Sequence, residues 1–473
     1  MENKRINGND LIALGYKENE AMGVALKINR LRLGYKREEM LQKFKEVLDN
    51  PEAFLGDQVF APLSQMLLNV DKLEKEYIKL KSEVDSYEVY GGDQIEAGAK
   101  KQMNTAMKLP ITVAGALMPD AHQGYGLPIG GVLGANHAVI PYGVGVDIGC
   151  RMALSIFDLP ATYLESHHDD LKKILMKTTR FGAGNGFLKH ERLDHEVLEN
   201  ELFNENPFIQ NLKDKAWTQL GSSGGGNHFV EFGIMEFQAE DKELGIHEGT
   251  YLALLTHSGS RGLGAMIANH YTKLAMELCK LPYEAKHLAY FDLDSAEGQE
   301  YWMAMNLAGD YASACHEVIH EKVLSELGAE RLAKIENHHN FAWKEKWKGE
   351  DVIVHRKGAT PAGEGVMGII PGSMAAPGFL VRGKGEEQSI NSASHGAGRL
   401  MSRTQAIKTL SRSEVSKKLE DLGITLIGAD LDEAPMAYKN IHEVMAAQTD
   451  LVNVVASFHP KVVRMADDGS KED

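Results

Sequence analysis

The sequence predicts a mixed α/β body whose glycine-rich loops carry the chemistry, preceded by a helical amino-terminal extension. Three observations lead there. First, the chain has 473 residues, 43% hydrophobic and 25% charged, the balance of a globular protein with a sizeable core. Second, residues 1 to about 90 read as helical and polar, whereas beyond them short β-branched runs alternate with glycine-rich turns and longer helical stretches. Third, 47 glycines are concentrated in loops that also hold histidines, where backbone rather than bulk is wanted.

Along the chain, Arg37 to Leu48 is charged and helically periodic and stops before Pro51. Apolar positions then recur at Met66, Val70, Leu73, Tyr77, Leu80, Val84 and Tyr87. This spacing predicts a three-heptad helix docked on the body of its own chain. Strands are expected over 111–113, 130–133, 139–146, 251–256, 352–354 and 379–381, and helices over 298–327 and 436–457. The body is expected to run over 91–473, with disorder in the tail after Met465.

Composition excludes several classes. No run approaches about 20 apolar residues, so no membrane span is expected. The amino terminus MENKRINGNDLIAL lacks the apolar core of a secretion signal. Cys150, Cys279 and Cys315 are too few and too scattered for a disulfide framework. A reduced, cytoplasmic protein is the expectation. A net charge of −16, from 51 basic and 67 acidic residues, argues against a general nucleic-acid coat protein but leaves room for a local basic cleft. Residues 351–410 are such a basic stretch, holding Arg356, Lys357, Arg382, Lys384, Arg399, Arg403 and Lys408 against four acidic residues. That stretch suits an anionic substrate, although a solvated surface has the same composition.

Five glycine-rich blocks each present a metal-competent or nucleophilic side chain: MPDAHQGYGLPIGG with Asp120 and His122, VGVDIGC with Asp147 and Cys150, GSSGGGNHFVEF with Asn227, His228 and Glu231, THSGSRGLG with His257, and NSASHGAGR with His395. NHHNFAW adds His338 and His339. A thiolate, imidazoles and a carboxylate make a ligand set for one or two divalent metals, with zinc as good a match as manganese. Any one of these histidines, taken alone, is more often a satisfied polar residue than a ligand; their repetition is what points to metal chemistry. The glycines of GSSGGGNH and PGSMAAPG fit tight turns as well as they fit a phosphate cradle. A competing motif, His316-Glu317-Val318-Ile319-His320, matches the H-E-x-x-H of zinc hydrolases. There, however, Ala308, Ala312, Cys315, Ile319 and Val323 make an ordinary apolar stripe that the histidines only flank.

Taken together the blocks carry a more specific message. MPDAHQGYGLPIGG, VGVDIGC, GGGNHFVEF, HSGSRG, HHN, RKGA, PGSM, SHGAGR with MSR, and DEAPMAYK occur in the order found in the RtcB family of RNA-splicing ligases. The chain resembles that family over about residues 91–465. The resemblance implies a single large α/β catalytic domain. Its implied activity is GTP- and Mn²⁺-dependent joining of RNA 3′-phosphate or 2′,3′-cyclic phosphate ends to 5′-hydroxyl ends, in tRNA splicing or RNA repair. It implies one Mn²⁺ on Asp147, Cys150 and His228 and a second on Cys150, His257 and His339. His395 would be the nucleophile that becomes guanylylated. Asn227, His228, Glu231, His339, Asn340, Pro371, Gly372, Ser373, Met374, His395, Gly396, Ala397 and Gly398 would bind the nucleotide. The implied partners are tRNA halves or other cleaved RNA, and an activating protein such as archease. A relative that caps 3′-phosphate ends without sealing them is the enzymatic alternative, and an H-E-x-x-H zinc hydrolase the remote one. Two departures from the family touch the nucleotide: Gly378, where a serine is frequent, and Ala466, where many members carry a lysine.

Overall fold

Four helices open the chain: Gly8–Leu14, Glu20–Arg30, Arg37–Asp49 and Ala61–Glu76. The computed structural model describes residues 6–17, 20–31, 34–467 and 469. A capping box starts the first helix, with the Asn7 side chain accepting from the Asp10 N–H at 3.2 Å and Asp10 accepting from the Asn7 N–H at 2.9 Å. The helices bury a core of their own around Leu11, Phe44, Val47, Phe60 and Leu63. Phe44 sits edge-on to both Tyr16 and Phe60.

The three-heptad helix expected over 66–87 does not form, because the helix ends at Glu76 and Tyr77 is extended. Val70 and Leu73 of that seam lie outside the residues whose side chains are described. The backbone beyond finds partners on the body instead: Ile78 donates to the Lys280 carbonyl at 2.8 Å and Lys81 to that of Lys108 at 2.7 Å. Ile78, Leu80, Val84 and Tyr87 then pack on the main core as an extended strap. Either conformation could bury these side chains; the extended one pairs its backbone with the body.

The body is mixed α/β. A five-stranded sheet runs in the order Glu88–Val89, Thr112–His122, Ile129–Ala135, Glu350–Lys357, Asn340–Trp347. A larger sheet of eight strands follows the path Met367–Ile370, Gly378–Gly383, Val452–Met465, Phe229–Phe237, Gly249–Ser258, Arg151–Pro160, Arg331–His338, with Thr425–Ile427 paired beside Val452–Met465. Helix Ala296–Leu327 packs against the strands Gly249–Ser258 and Arg151–Pro160. It starts on a Ser295 cap and stops at Gly328 in the left-handed region. Much of the main core lies around this helix.

Two further expectations are corrected. Residues 139–146 are not a strand: Ala138–Val139 makes only a short pairing, and Pro141 starts a helical turn, Pro141–Val144. Residues 436–457 are not one helix but a short one, Ile441–Ala446, followed by the strand Val452–Met465. The β-branched run Val452, Val454, Val455 was the overlooked strand signal. Most of the tail expected to be disordered, residues 468 and 470–473, lies outside the described residues. Among the described residues, no helix is long and apolar enough to cross a membrane.

Candidate active site

Four neighbouring strands of the large sheet end at one edge, and their register brings the metal-competent side chains together. Phe229 pairs with His257, Met152 with His257, and Arg151 with His338. His228, Cys150 and His339 are each the next residue along the chain from a member of these pairs, so they join His257 at that edge. Asp147 reaches in from the loop after Pro141–Val144 and is fixed by accepting the Ser260 N–H at 3.0 Å. Gly259 must be glycine here, because a Cβ would collide with both carboxylate oxygens of Asp147.

Two overlapping donor sets result. Asp147, Cys150 and His228 form one, and Cys150, His257 and His339 the other, with ligand atoms within 4.8 Å of one another in each. Cys150 Sγ lies 3.2 Å from His257 Nε2 and 3.6 Å from His228 Nε2, and His257 Nε2 lies 3.2 Å from His339 Nε2. Burial first, and then the neighbouring imidazoles, pushes His257 down to about 3 and His339 well below its usual value. Both rings are therefore neutral near pH 7, with nitrogen atoms converging on one sulfur. Burial opposes the charge on Asp147, but the hydrogen bond and charge of His228 outweigh it and keep the carboxyl low. Imidazoles, a thiol and a carboxylate, all buried, are a donor set that fits divalent cations.

The second feature is a dyad. His395 follows the strand Ser392–Ser394 directly, and its Nδ1 lies 2.6 Å from Oδ2 of the fully buried Asp120 on the strand Thr112–His122. The same oxygen accepts the backbone N–H of His395 at 3.2 Å. Gly398, at φ +71, passes so close to the Asp120 carbonyl that no side chain fits. Ring centroids of His395 and His339 are 4.9 Å apart, so the dyad borders the metal-competent cluster.

Both features open into one cavity of about 320 Å³. Asn227, Glu231, His339, Asn340, Pro371, Gly372, Ser373, Met374 and the 396–398 turn all line it, together with Asp147, Cys150 and His257. His228, buried beside them, does not. Asn340 also braces the site, donating to the Asp147 carbonyl at 3.2 Å and accepting the Gly358 N–H at 2.8 Å. Burial raises the Glu231 carboxyl well above its usual value, and Asn227 Oδ1 is buried without a partner. Gly378 lines the cavity, where an added Cβ would come 3.3 Å from Pro371 Cα. Ala466 is buried next to Met465, which also lines the cavity.

Other candidates go elsewhere. His338 packs against Phe341 and Trp343, with ring centroids 5.0 and 4.9 Å away. His316 and His320 do not merely flank an apolar stripe but are buried. Thr256 Oγ1 lies 2.6 Å from His316 Nδ1 and 2.9 Å from His320 Nε2, Ser258 O lies 3.1 Å from His316 Nε2, and Ser155 Oγ 2.7 Å from His320 Nδ1. Every nitrogen of both rings is engaged, and Glu317 faces His195 instead. The H-E-x-x-H helix is therefore a packed structural element. The basic stretch divides in the same way. Arg356 is buried in a bidentate pair with Glu345 (2.6 and 2.9 Å), and Arg382 pairs with Asp241 and Glu243. Arg399 and Arg403 line the cavity but are held by Asp432 and Glu433. Sequence reasoning named Asp120 only as a metal-competent side chain and Lys357 only within the basic stretch, and gave no role to Glu433 or Tyr438, although both lie in a quoted block. Asp120 had the strongest signal, an acidic residue two positions from a histidine among glycines.

Comparison with known proteins agrees with the geometry. Residues 102–466 match the family described as tRNA-splicing ligase RtcB. The chain is 35% identical to the RNA-splicing ligase RtcB of Escherichia coli K12 over 396 residues, covering 77% of this chain and 93% of that one. It is 35% identical to the tRNA-splicing ligase RtcB of Nanoarchaeum equitans, covering 76% and 90%. Against the tRNA-splicing ligase RtcB of Thermococcus kodakarensis it is 30% identical, covering 79% and 93%.

Proposed function

The chain belongs to the RtcB family and is an RNA ligase, and from its site we propose that it joins RNA 3′-phosphate or 2′,3′-cyclic phosphate ends to 5′-hydroxyl ends through a guanylylated His395. The observation that carries this reading is the Asp120–His395 dyad beside the Cys150 cluster. Asp120 accepts a hydrogen bond from Nδ1–H of His395, which holds the proton there and leaves the Nε2 lone pair free as a nucleophile toward the α-phosphorus of GTP. The N–P bond forms as the bond to pyrophosphate breaks. An oxygen of the RNA 3′-phosphate then takes the guanylyl group and frees His395, and the 5′-hydroxyl attacks the activated end and expels GMP. A cyclic end must first be opened by water.

Asp147, Cys150, His228, His257 and His339 would hold two Mn²⁺ ions, with the Cys150 thiolate shared. When bound, such ions neutralise charge on the phosphate oxygens and position the reacting groups. Neutral His257 and His339 are ready to ligate without first losing a proton. Asn227, Phe229, Glu231, Ser373, Met374 and the 396–398 turn, which line the cavity, would receive the nucleotide. Cleaved RNA, such as tRNA halves, is the substrate this chemistry requires, and an activating partner such as archease would act on turnover.

Incubation with α-labelled GTP and Mn²⁺, followed by a denaturing gel, tests the reading. Label should stay on the protein, vanish in His395→Ala, and be discharged by an RNA bearing a 3′-phosphate. Sealing to a 5′-hydroxyl strand should follow. Absence of label with every nucleotide tried would overturn the mechanism, and a capped but unsealed end would make the enzyme a guanylyltransferase.

A further inference from the structure

Tyr125 and Tyr142, two rings that the nucleotide chemistry leaves unused, line the cavity, and His287 stands beside them. Tyr125 is 69% exposed although it lines the cavity. Its ring centroid lies 6.5 Å from that of Tyr142 and 6.3 Å from that of His287, and the latter two are 5.4 Å apart. Gly126, at φ +69, turns the chain so tightly that an added Cβ would come 3.0 Å from the His287 carbonyl, which seats Tyr125 on a fixed turn. A large exposed aromatic at such a place is a binding feature more than a packing one.

A cation stands beside the rings. Lys357 Nζ lies 4.8 Å over the Tyr142 ring and donates to the carbonyls of Tyr125 at 2.6 Å and Tyr142 at 3.3 Å. No carboxylate pairs with it among the described residues. The next residue, Gly358, is pressed against the nucleophile: a Cβ there would come 3.2 Å from His395 Cε1. The rings and Lys357 therefore adjoin the point where an RNA phosphate must meet His395. The rings belong to a turn and two short helices, and Lys357 ends the strand Glu350–Lys357 of the five-stranded sheet. Phe229, Phe458 and Met465, on the cavity's apolar side, belong to the large sheet.

We propose that the exposed Tyr125 ring, braced by the Tyr142 and His287 rings tilted or edge-on against it, is a stacking platform for the terminal nucleobase of the RNA strand that carries the 3′-phosphate, with Lys357 toward that phosphate. The inference rests on the ligase chemistry proposed above. Every base has a π-face, so such a platform binds RNA ends without regard to sequence, as suits an enzyme that joins varied breaks. The cation selects the strand, because the 3′-phosphate is charged and the 5′-hydroxyl is not. Burial, Lys286 and Lys357 all lower the His287 pKa, which leaves a neutral ring suited to stacking.

The test uses the full chain with an oligoribonucleotide whose last residue is 2-aminopurine bearing a 3′-phosphate, since stacking quenches that fluorophore. Wild type should quench it, Tyr125→Ala should lose most of the quenching, and Tyr125→Trp should restore it. In ligation assays Tyr125→Ala should raise KM for this strand by about tenfold or more, with a smaller effect on kcat. Unchanged quenching and KM in Tyr125→Ala would overturn the proposal, as would quenching confined to a 2-aminopurine placed at the 5′-hydroxyl end. Self-guanylylation is followed in the same preparations. A fall there equal to the loss in ligation would put Tyr125 on the nucleotide and also overturn the platform. If wild type takes no label from GTP, the ligase mechanism fails, and the quenching still decides whether the rings bind an RNA end.

Discussion

Oδ2 of Asp120 lies 2.6 Å from Nδ1 of His395, and Asp120 has no exposed surface. The carboxyl stays ionised despite burial because His395, His122 and Lys439 surround it with positive charge or hydrogen bonds. A buried carboxylate can only accept, so it fixes the imidazole proton on Nδ1 and turns the Nε2 lone pair outward.

Asp120→Asn is therefore expected to slow labelling of the protein by α-labelled GTP by roughly 10²–10⁴-fold while leaving metal binding intact. An asparagine amide can donate to Nδ1, which would move the proton to Nε2 and block attack. Single-turnover labelling measures this directly. A rate within about twofold of wild type would mean that Asp120 only supports the fold.

The shared thiol predicts a graded loss of metal. Cys150 belongs to both donor sets, whereas His228 and His339 belong to one each. Calorimetric titration with Mn²⁺ should find two sites in wild type, one in His228→Ala or His339→Ala, and no tight site in Cys150→Ala. Metal bound to the native state alone also stabilises it, by about 2.7 kcal/mol per site at a hundredfold excess over Kd. Chelation should accordingly lower the wild-type Tm and leave that of Cys150→Ala nearly unchanged. Two full sites in Cys150→Ala would refute the shared ligand.

These predictions mark how far the sequence could be read. The donors could be picked out one by one, because all but His339 sit in a glycine-rich block where a reactive side chain has no packing reason to be. Their convergence depends on strand register, such as Arg151 opposite His338 and Met152 opposite His257, which is a long-range property that local patterns do not encode. Asp120 was visible as a residue but not as an orienter, since its partner lies 275 positions away. His316 and His320 misled in the opposite direction. Their spacing matches a metal motif, yet Thr256, Ser258 and Ser155 on the sheet behind them take up the ring nitrogens. The heptad pattern after Met66 failed because apolar spacing reports burial, and an extended strap packs Leu80, Val84 and Tyr87 on the core as a helix would.

If Lys357 meets the RNA phosphate as proposed, RNA capture should depend on pH. Burial pushes its ammonium down to about 7, and the groups facing it are the Tyr125 and Tyr142 carbonyls, the Tyr142 ring and His287. Above that pH the free enzyme loses the charge that would meet the RNA phosphate. In wild type, kcat/KM for the 3′-phosphate strand should fall as pH rises from about 6.5 to 8.5, since that ratio reports free-enzyme ionisation. Lys357→Arg, charged throughout, should flatten the decline. Lys357→Met should weaken binding at the lower pH and reduce the salt slope by about one. A decline unchanged in Lys357→Arg would place the titrating group elsewhere.

A last prediction links stability to the turn that carries Cys150. Arg151 donates to the Gly149 carbonyl at 3.4 Å and the Gly309 carbonyl at 2.8 Å, and pairs with Glu336 at 3.0 Å. Burial alone would raise the Glu336 carboxyl, but Arg151, His316 and Lys334 outweigh it and hold it at about 2. The unfolded value is about 4.3, so the folded pKa is depressed. The contribution of the Glu336 carboxylate, to Arg151, His316 and Lys334 together, is then complete above the unfolded value and is lost as pH falls from about 4.3 through about 2. Its full size is about 3 kcal/mol at most, from a shift of roughly two units. Urea unfolding at pH 6 and pH 3 should show wild type losing more stability than Glu336→Gln, in which the ionisation is absent. Other low carboxyls, Asp120 and Asp147 among them, titrate in both proteins and cancel in the difference. Parallel pH profiles would show that Arg151 is held by the two carbonyls alone, and that Glu336 adds nothing to the rigidity of the Gly149–Cys150 turn.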